Sequence, residues 1–173
     1  MNNKYDVIII GAGAAGMMSA IEAGKRGRKV LLVDHYKKIG EKIRISGGGR
    51  CNFTNINTNP SKFLSQNPKF VRSALSQYTQ NDFINLINKY EIKFHEKKLG
   101  QLFCDHSAQQ IVEMLLKECE LANVTILKEF IIKNIEKDND QYLVSTETEQ
   151  YSSESLIVAT GGLSVPKIGA TSF

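Results

Sequence analysis

Polar residues up to Asp6 give way to four apolar residues in succession at positions 7–10. An unbroken run of that length predicts a strand buried on both faces, the kind found inside a parallel sheet. It stops at Gly11. A helical pattern of small apolar residues follows over about 14–26, with Gly27 placed as a C-cap glycine and Lys25, Arg26 and Arg28 suiting a helix C-terminus. A second apolar run at 30–33 predicts a second strand over 29–34 and completes a strand–helix–strand start. Residues 35–58 show no clear period. From 60 to 91 the spacing turns helical. Phe70, Val71, Ala74, Leu75 and Tyr78 form one stripe, and Phe83, Ile84, Leu86, Ile87 and Tyr90 form another, with Gln80 or Asn81 as the cap of the second helix. Both stripes read as core, with a base-stacking platform as the alternative.

Loose alternation over 92–105 predicts a hairpin around 97–100. Ser107 then caps an amphipathic helix carrying Ala108, Ile111, Val112, Leu115, Leu116 and Cys119 on one face. Residues 124–127 predict a third short parallel strand. Segments 129–136, 141–147 and 150–154 predict an antiparallel meander turning at Asp138-Asn139-Asp140. A last buried apolar strand over 156–159 runs into Thr160-Gly161-Gly162. This order predicts an α/β nucleotide-binding fold in three layers, two of sheet and one of helix. A β-meander serves as its crossover, and the stretch at about 60–105 reads as a largely helical insertion.

Composition narrows the picture only slightly. The 173 residues fit one domain with an insertion, and 42% hydrophobic residues suffice for a core. No run of eighteen apolar residues suggests a membrane span, and the N-terminus enters the first strand directly, with no signal-peptide pattern. Three scattered cysteines without a C-x-x-C argue for a reducing, cytoplasmic setting with neither disulfides nor zinc. A net charge of +4 permits a polyanionic partner without requiring one.

The chemistry starts where the first strand ends. Gly11-Ala12-Gly13-Ala14-Ala15-Gly16 fits G-x-G-x-x-G between a strand and a helix. In that context Gly11 permits the tight turn, Gly13 lets a pyrophosphate reach bare backbone, and Gly16 lets helix and strand approach. The helix N-terminus adds unpaired N–H groups and a partial positive charge. Asp34 closes the second strand, where a carboxylate accepts hydrogen bonds from ribose hydroxyls and repels a 2′-phosphate. The second informative stretch covers positions 40–55, in which Gly47, Gly48 and Gly49 follow Ser46 and precede Arg50, Cys51 and Asn52. Consecutive glycines in a basic, amide-rich loop bring many N–H groups to a ligand, and Arg44 and Arg50 can fork onto phosphate or a ring carbonyl. A flexible surface loop is the plainer alternative. His35, His95 and His106 stand isolated and read as structural, as do Met17 and Met18, and Cys104 and Cys119 read as packing.

The GAGAAG run, Asp34 and the Ala159-Thr160-Gly161-Gly162 stretch resemble the FAD-binding domain of the two-dinucleotide-binding, glutathione-reductase-like flavoproteins. More narrowly, IRISGGGRCNFTN and GGLSVPKIGAT resemble the YhiN/HI-type NAD(P)/FAD-dependent oxidoreductases, also described as aminoacetone-oxidase-like or BaiN/RdsA-like. The resemblance implies a Rossmann-like FAD/NAD(P)-binding fold with the adenosine end of FAD at Gly11, Gly13, Ala14, Ala15, Gly16, Asp34 and His35. It implies the isoalloxazine end near Lys42, Arg44, Ser46, Gly47, Gly48, Gly49, Arg50, Cys51 and Asn52, with Thr160, Gly161 and Gly162 close by. Asp34 stands where such flavoproteins often carry Glu. The chain is roughly half as long as the members it resembles, so an incomplete FAD-binding domain over 1–173 is expected, without the substrate domain and the C-terminal FAD segment.

The function this implies is a FAD-dependent oxidoreductase acting on a small molecule, with NAD(P)H as a candidate electron donor and no membrane or DNA partner. Three alternatives stand beside it. One is a flavin-binding fragment without turnover, and another is an RNA-acting flavoenzyme that reduces uridine in ribosomal RNA. The third is an NAD-binding dehydrogenase, which Asp34 suits equally but for which the SGGGRCN loop has no use. No catalytic acid or base is assigned.

Overall fold

The computed structural model describes residues 3–162. Their contacts divide into two compact units, residues 1–42 with 115–173 and residues 43–114, and the chain passes between them inside two helices. The second unit contains the stretch at 60–105 and extends beyond it on both sides.

The first unit is built on β1 (Lys4–Ile10), α1 (Ala14–Lys25) and β2 (Val30–Val33), to which β6 (Thr125–Leu127), β7 (Asn134–Asp138), β8 (Gln141–Ser145) and β9 (Gln150–Val158) add. These strands form one six-stranded sheet in the order β6-β2-β1-β9-β8-β7. β1 runs parallel to β2, with Ile8 opposite Leu31, and β2 runs parallel to β6. All four residues of β2 are buried, which is why its sequence is a continuous apolar run rather than an alternation. By alternation Ile8 and Ile10 face one side of the sheet and Ile9 the other. On the first side Ile8, Ile10, Leu31 and Val33 join Phe130, Val144 and Tyr151 in one buried cluster. α1 ends in a Schellman motif, in which the Arg28 N–H donates to the Ala23 carbonyl and the Gly27 N–H to the Gly24 carbonyl. The C-terminal half of α5 (Gln109–Leu121) packs on α1, where the Cys119 thiol lies 3.8 Å from the Met17 carbonyl and Lys25 pairs with the buried Glu118 at 3.1 Å.

Three sequence expectations change here. The meander and the final parallel strand are not separate elements. β9 is one nine-residue strand whose first four residues pair antiparallel with β8 while nearly its whole length pairs parallel with β1. The expected buried strand at 156–159 is also only partly buried: Leu156 and Ile157 are half-buried and Val158 is exposed. The reason is geometric, since the β8 ladder ends at Ser153 and no other described strand flanks the rest of β9 on that side. The first meander strand also starts later than expected, at Asn134.

The second unit holds α2 (Glu41–Ile45) from its third residue, a 3₁₀ turn (Ser46–Gly49), and β3 (Asn52–Asn55), so the stretch without clear period is structured. A second 3₁₀ turn (Pro60–Lys62), α3 (Val71–Gln77) and α4 (Gln80–Lys89) follow, then β4 (Phe94–Glu96) and β5 (Gln101–Cys104), the expected hairpin. β3, β5 and β4 make a three-stranded antiparallel sheet. α4 is capped by Thr79, not by Gln80 or Asn81: the Thr79 hydroxyl accepts from the Asp82 N–H while the Asp82 carboxylate accepts from the Thr79 N–H, a capping box one residue earlier than expected. The second apolar stripe becomes core, with Ile87 fully buried and the Phe53 ring against Phe83 and Phe94. The first stripe does not. α3 has no buried residue, and Phe70 at its N-cap is 79% exposed. A helical period says which side chains share a face; whether anything covers that face is a tertiary matter.

Candidate cofactor site

In the first unit the G-x-G-x-x-G turn is fixed by three hydrogen bonds, two from backbone partners and one from a carboxylate. The Gly11 N–H donates to the Val33 carbonyl at 2.8 Å, and the Gly40 N–H donates to the Ala12 carbonyl at 3.1 Å. The Ala12 N–H donates to the Asp34 carboxylate at 2.7 Å. Gly11 has φ +101°, and a methyl group there would lie 2.7 Å from the Ala159 carbonyl oxygen. Gly16 is tighter still, since a methyl group would overlap the carbonyl oxygen of Gly11. These two glycines serve packing. Gly13 differs: nothing lies within 4 Å of where its Cβ would be. It sits at the N-cap of α1 with extended backbone and offers no side-chain cap, so the first-turn N–H groups of Ala14, Ala15 and Gly16 find no partner within the helix. No acid occupies that turn. Room above bare backbone at a positive helix end suits a phosphate, and this is the fit a dinucleotide would require.

Asp34 stands beside that turn with its side chain 13% exposed. One carboxylate oxygen takes the Ala12 N–H, and the other takes the Tyr36 N–H at 2.9 Å. Ala12 and Tyr36 escaped the sequence reading. The Tyr36 contact is an Asx-turn, an aspartate oxygen accepting from the N–H two residues on, and that pattern was open to inspection. His35 lies 3.7 Å from the same carboxylate and its ring packs on Tyr36 at 3.9 Å between centroids. Across the unit, Lys42 donates to the Gly162 carbonyl at 2.6 Å, and Gly161, with φ +77°, leaves space that this ammonium borders. Thus Gly11, Gly13, Ala14, Ala15, Gly16, Asp34, His35, Lys42, Thr160, Gly161 and Gly162 belong to one unit. The remainder of the GGLSVPKIGAT motif, from Leu163 on, lies outside the described residues.

The second unit holds the other candidates. Gly47, Gly48 and Gly49 all adopt positive φ, at 58°, 68° and 85°. A residue with a Cβ pays about 1–2 kcal/mol at each such position, so three in a row specify glycine. A methyl on Gly47 would meet Phe103 and the Asn52 N–H, whereas one on Gly48 would meet nothing. The loop is braced rather than loose. The Cys51 N–H donates to the Ser46 carbonyl at 3.0 Å, the Cys104 N–H to the Arg50 carbonyl at 2.9 Å, and the Ala108 N–H to the Gly49 carbonyl at 2.7 Å. Ser46 turns its hydroxyl back to the Ile43 carbonyl at 2.8 Å. Arg50 and Asn52 are exposed, and Arg44 is half-buried.

Cys51 is buried, and burial pushes its thiol up, opposed by a hydrogen bond with Ser46. Cys104 and Cys119 are each pushed up to about 12, again mainly by burial, with Cys51 and Asp105 adding for the first and Glu118 for the second. All three are thiols at neutral pH, when a nucleophile or redox partner must be a thiolate. Native protein at pH 7.5 is therefore expected to take up no iodoacetamide on the timescale in which denatured protein takes up three equivalents, read by intact mass. Rapid labelling of Cys51 alone would contradict this. His95 is tied to Asp105 at 2.7 Å. Among the described residues no group of three His, Cys, Asp or Glu side chains converges on a metal site, and no helix is long and apolar enough to cross a membrane.

The family described as HI0933-like protein Rossmann domain matches residues 5–173. The chain belongs to that family. This HI0933-like domain is 54% identical over 170 residues to the ribosomal RNA dihydrouridine synthase of Escherichia coli (strain K12), an alignment covering 98% of this chain and 42% of that protein. It is 49% identical over 177 residues to the protein of the same name from Haemophilus influenzae (strain ATCC 51907 / DSM 11121 / KW20 / Rd), covering 100% of this chain and 44% of the relative. The HI0933-like domain thus spans about two fifths of the length of these relatives. Among solved structures, the halogenase PltM in complex with phloroglucinol and FAD superimposes with a TM-score of 0.55 at 19% identity, over 91% of this chain and 34% of the halogenase. That likeness concerns the fold, a Rossmann-like α/β nucleotide-binding architecture, and the family is one of oxidoreductases.

Proposed function

We propose that this chain is the FAD-holding part of a flavoenzyme that reduces uridine to dihydrouridine in ribosomal RNA. The observation that carries the cofactor half of this reading is the open position at Gly13 beside the Asp34 carboxylate, a phosphate seat and a ribose acceptor side by side. The substrate half is supported by the 54% identity, over almost the whole chain, to a ribosomal RNA dihydrouridine synthase. Bound and reduced FAD would supply the hydride, and a proton from solvent would complete the two-hydrogen addition to the uracil ring. The chain's own residues bind and orient: Ala14, Ala15 and Gly16 offer N–H groups to the pyrophosphate, and Asp34 accepts from the adenosine ribose. In the first unit Lys42, Gly161 and Gly162 are proposed as cofactor contacts, and in the second the ordered glycine loop with Arg44, Ser46, Arg50, Cys51 and Asn52 is proposed as a flavin contact. Two electrons must enter for each uridine reduced, and NAD(P)H is the donor proposed.

The test uses the 173-residue protein reconstituted with FAD. Stoichiometric FAD in the visible spectrum is expected, followed under anaerobic conditions by oxidation of the reduced flavin on addition of unmodified ribosomal RNA, with a nucleoside two hydrogens heavier than uridine in the digest. FAD retention without any RNA-dependent oxidation would assign the chain a cofactor-holding role alone. Failure to take up FAD would overturn both.

A further inference from the structure

We propose that the surface formed by Lys62, Phe63, Lys69, Phe70 and Arg72 in the second unit is a docking face for single-stranded RNA. This deepens the reading of the chain as an RNA-modifying flavoprotein and rests on it.

Charge supplies the first argument. No carboxylate occurs between Glu41 and Asp82, while Lys42, Arg44, Arg50, Lys62, Lys69 and Arg72 all fall in that interval. Counting whole units, the second carries nine Lys and Arg against five Asp and Glu, and the first carries thirteen of each. The net +4 of the chain therefore resides in the second unit. Lys62, Lys69 and Arg72 are exposed, and none is in an ion pair with a described residue. Cations spaced along an acid-free surface are the electrostatic footprint of a polyanion partner.

The apolar groups interleaved with these cations supply the second. Phe70 is 79% exposed and Phe63 41%, and Leu64 between them is 96% exposed. Phe63, Leu64 and Arg72 line a groove of about 360 Å³ together with Pro60, Ser61 and Pro68. A folded protein rarely leaves two phenylalanines and a leucine in water within eight residues unless something uses them. Aromatic rings alternating with cations are what unpaired nucleotides bind, base on ring and phosphate on cation, without sequence preference. A protein partner would match the rings, but only an acidic one would also match the cations, whereas every stretch of RNA carries the phosphates.

The experiment compares the 173-residue chain with three variants of it: Lys62→Ala/Lys69→Ala/Arg72→Ala, Phe63→Ala/Phe70→Ala, and a control with the same charge change in the first unit, Lys128→Ala/Lys133→Ala/Lys137→Ala. A labelled single-stranded RNA oligonucleotide is titrated at 50 and 200 mM salt, with circular dichroism confirming the fold. At about 0.7 counterions released per neutralised phosphate, three contacts make the parent's affinity fall about twentyfold more than that of the cation variant over this range. The ring variant is expected to weaken binding by on the order of tenfold or more at both salts. The control should follow the parent. Parent-like affinity and salt slope in both docking-face variants would overturn the surface while leaving the uridine reductase reading intact. An equal effect from the control would also overturn it, by showing a generic charge effect. If the two alanine variants change self-association instead of RNA affinity, the face belongs to a protein contact and the proposal falls. Absence of RNA-dependent flavin oxidation, measured separately, bears on the reductase reading.

Discussion

Gly16→Ala is expected to leave too little folded protein to assay. The added methyl would occupy the space of the Gly11 carbonyl oxygen, with the Ala159 side chain 3.5 Å away. The clashing atoms belong to the Gly11 backbone, so no rotamer relieves the clash. α1 would have to lift off the end of β1, where Met17, Ala20 and Ile21 are fully buried. Overpacking a yielding core costs about 1–3 kcal/mol; here the cost should exceed the upper figure, a large share of the ~5–15 kcal/mol that holds a typical domain together. A urea melt followed by circular dichroism should show the transition shifted to far lower denaturant or lost. A melt within about 1 kcal/mol of the parent would mean the helix and strand are not packed as described. Gly13→Ala, three residues away, makes the informative contrast. Its φ of −85° is ordinary and its surroundings are open, so the fold should lose no more than about 1 kcal/mol, mostly as a poorer N-cap. Its FAD affinity should nevertheless drop by on the order of tenfold, because the methyl occupies the proposed phosphate seat. Stability and cofactor binding thus separate at two glycines of one turn.

Asp34→Ala should damage both properties together. The carboxylate is the acceptor for two backbone N–H groups, of Ala12 and Tyr36, and Ala12 is fully buried. Hydrogen bonds to a charged group contribute about 1.5–3 kcal/mol each, and a buried N–H left without acceptor retains its desolvation cost. A destabilisation of about 3 kcal/mol is expected in the same urea melt, along with loss of the ribose acceptor and of measurable FAD binding. Asp34→Asn should fall between, since its amide keeps one acceptor oxygen but presents an NH₂ to the second donor. An Asp34→Ala protein that melts like the parent would show that the Gly11–Gly16 turn holds its shape without the carboxylate.

Much of this was legible in the sequence because it is locally encoded. The apolar runs ending at Ile10 and Val33 became adjacent parallel strands, and the glycine spacing placed the turn between them. What escaped depends on partners far along the chain. The pairing of Lys42 with Gly162 joins residues that no local pattern connects. Ser155 fell between two expected strands, yet β9 runs straight through it, because a strand flanked on one side only can turn polar groups outward. Phe70, Val71 and Leu75 have the spacing of a buried helix face, but α3 is short and packs chiefly against the turn at Pro60–Lys62, so the spacing did not translate into burial. Thr79 was missed as a cap by one residue, the usual margin where a helix end is set by a side chain outside it.

The placement of β9 against β1 also bears on how the protein is made. Ile8 emerges from the ribosome early, and its neighbour Leu156 follows only after the whole second unit and the meander have been synthesised. At about 5–20 residues per second, one edge of β1 waits roughly seven to thirty seconds for its permanent neighbour. During that interval β1 can pair only with β2, and its free edge is a target for holdase chaperones and for other nascent chains. Slowing translation across the second unit should therefore lower soluble yield more than slowing it after Val158.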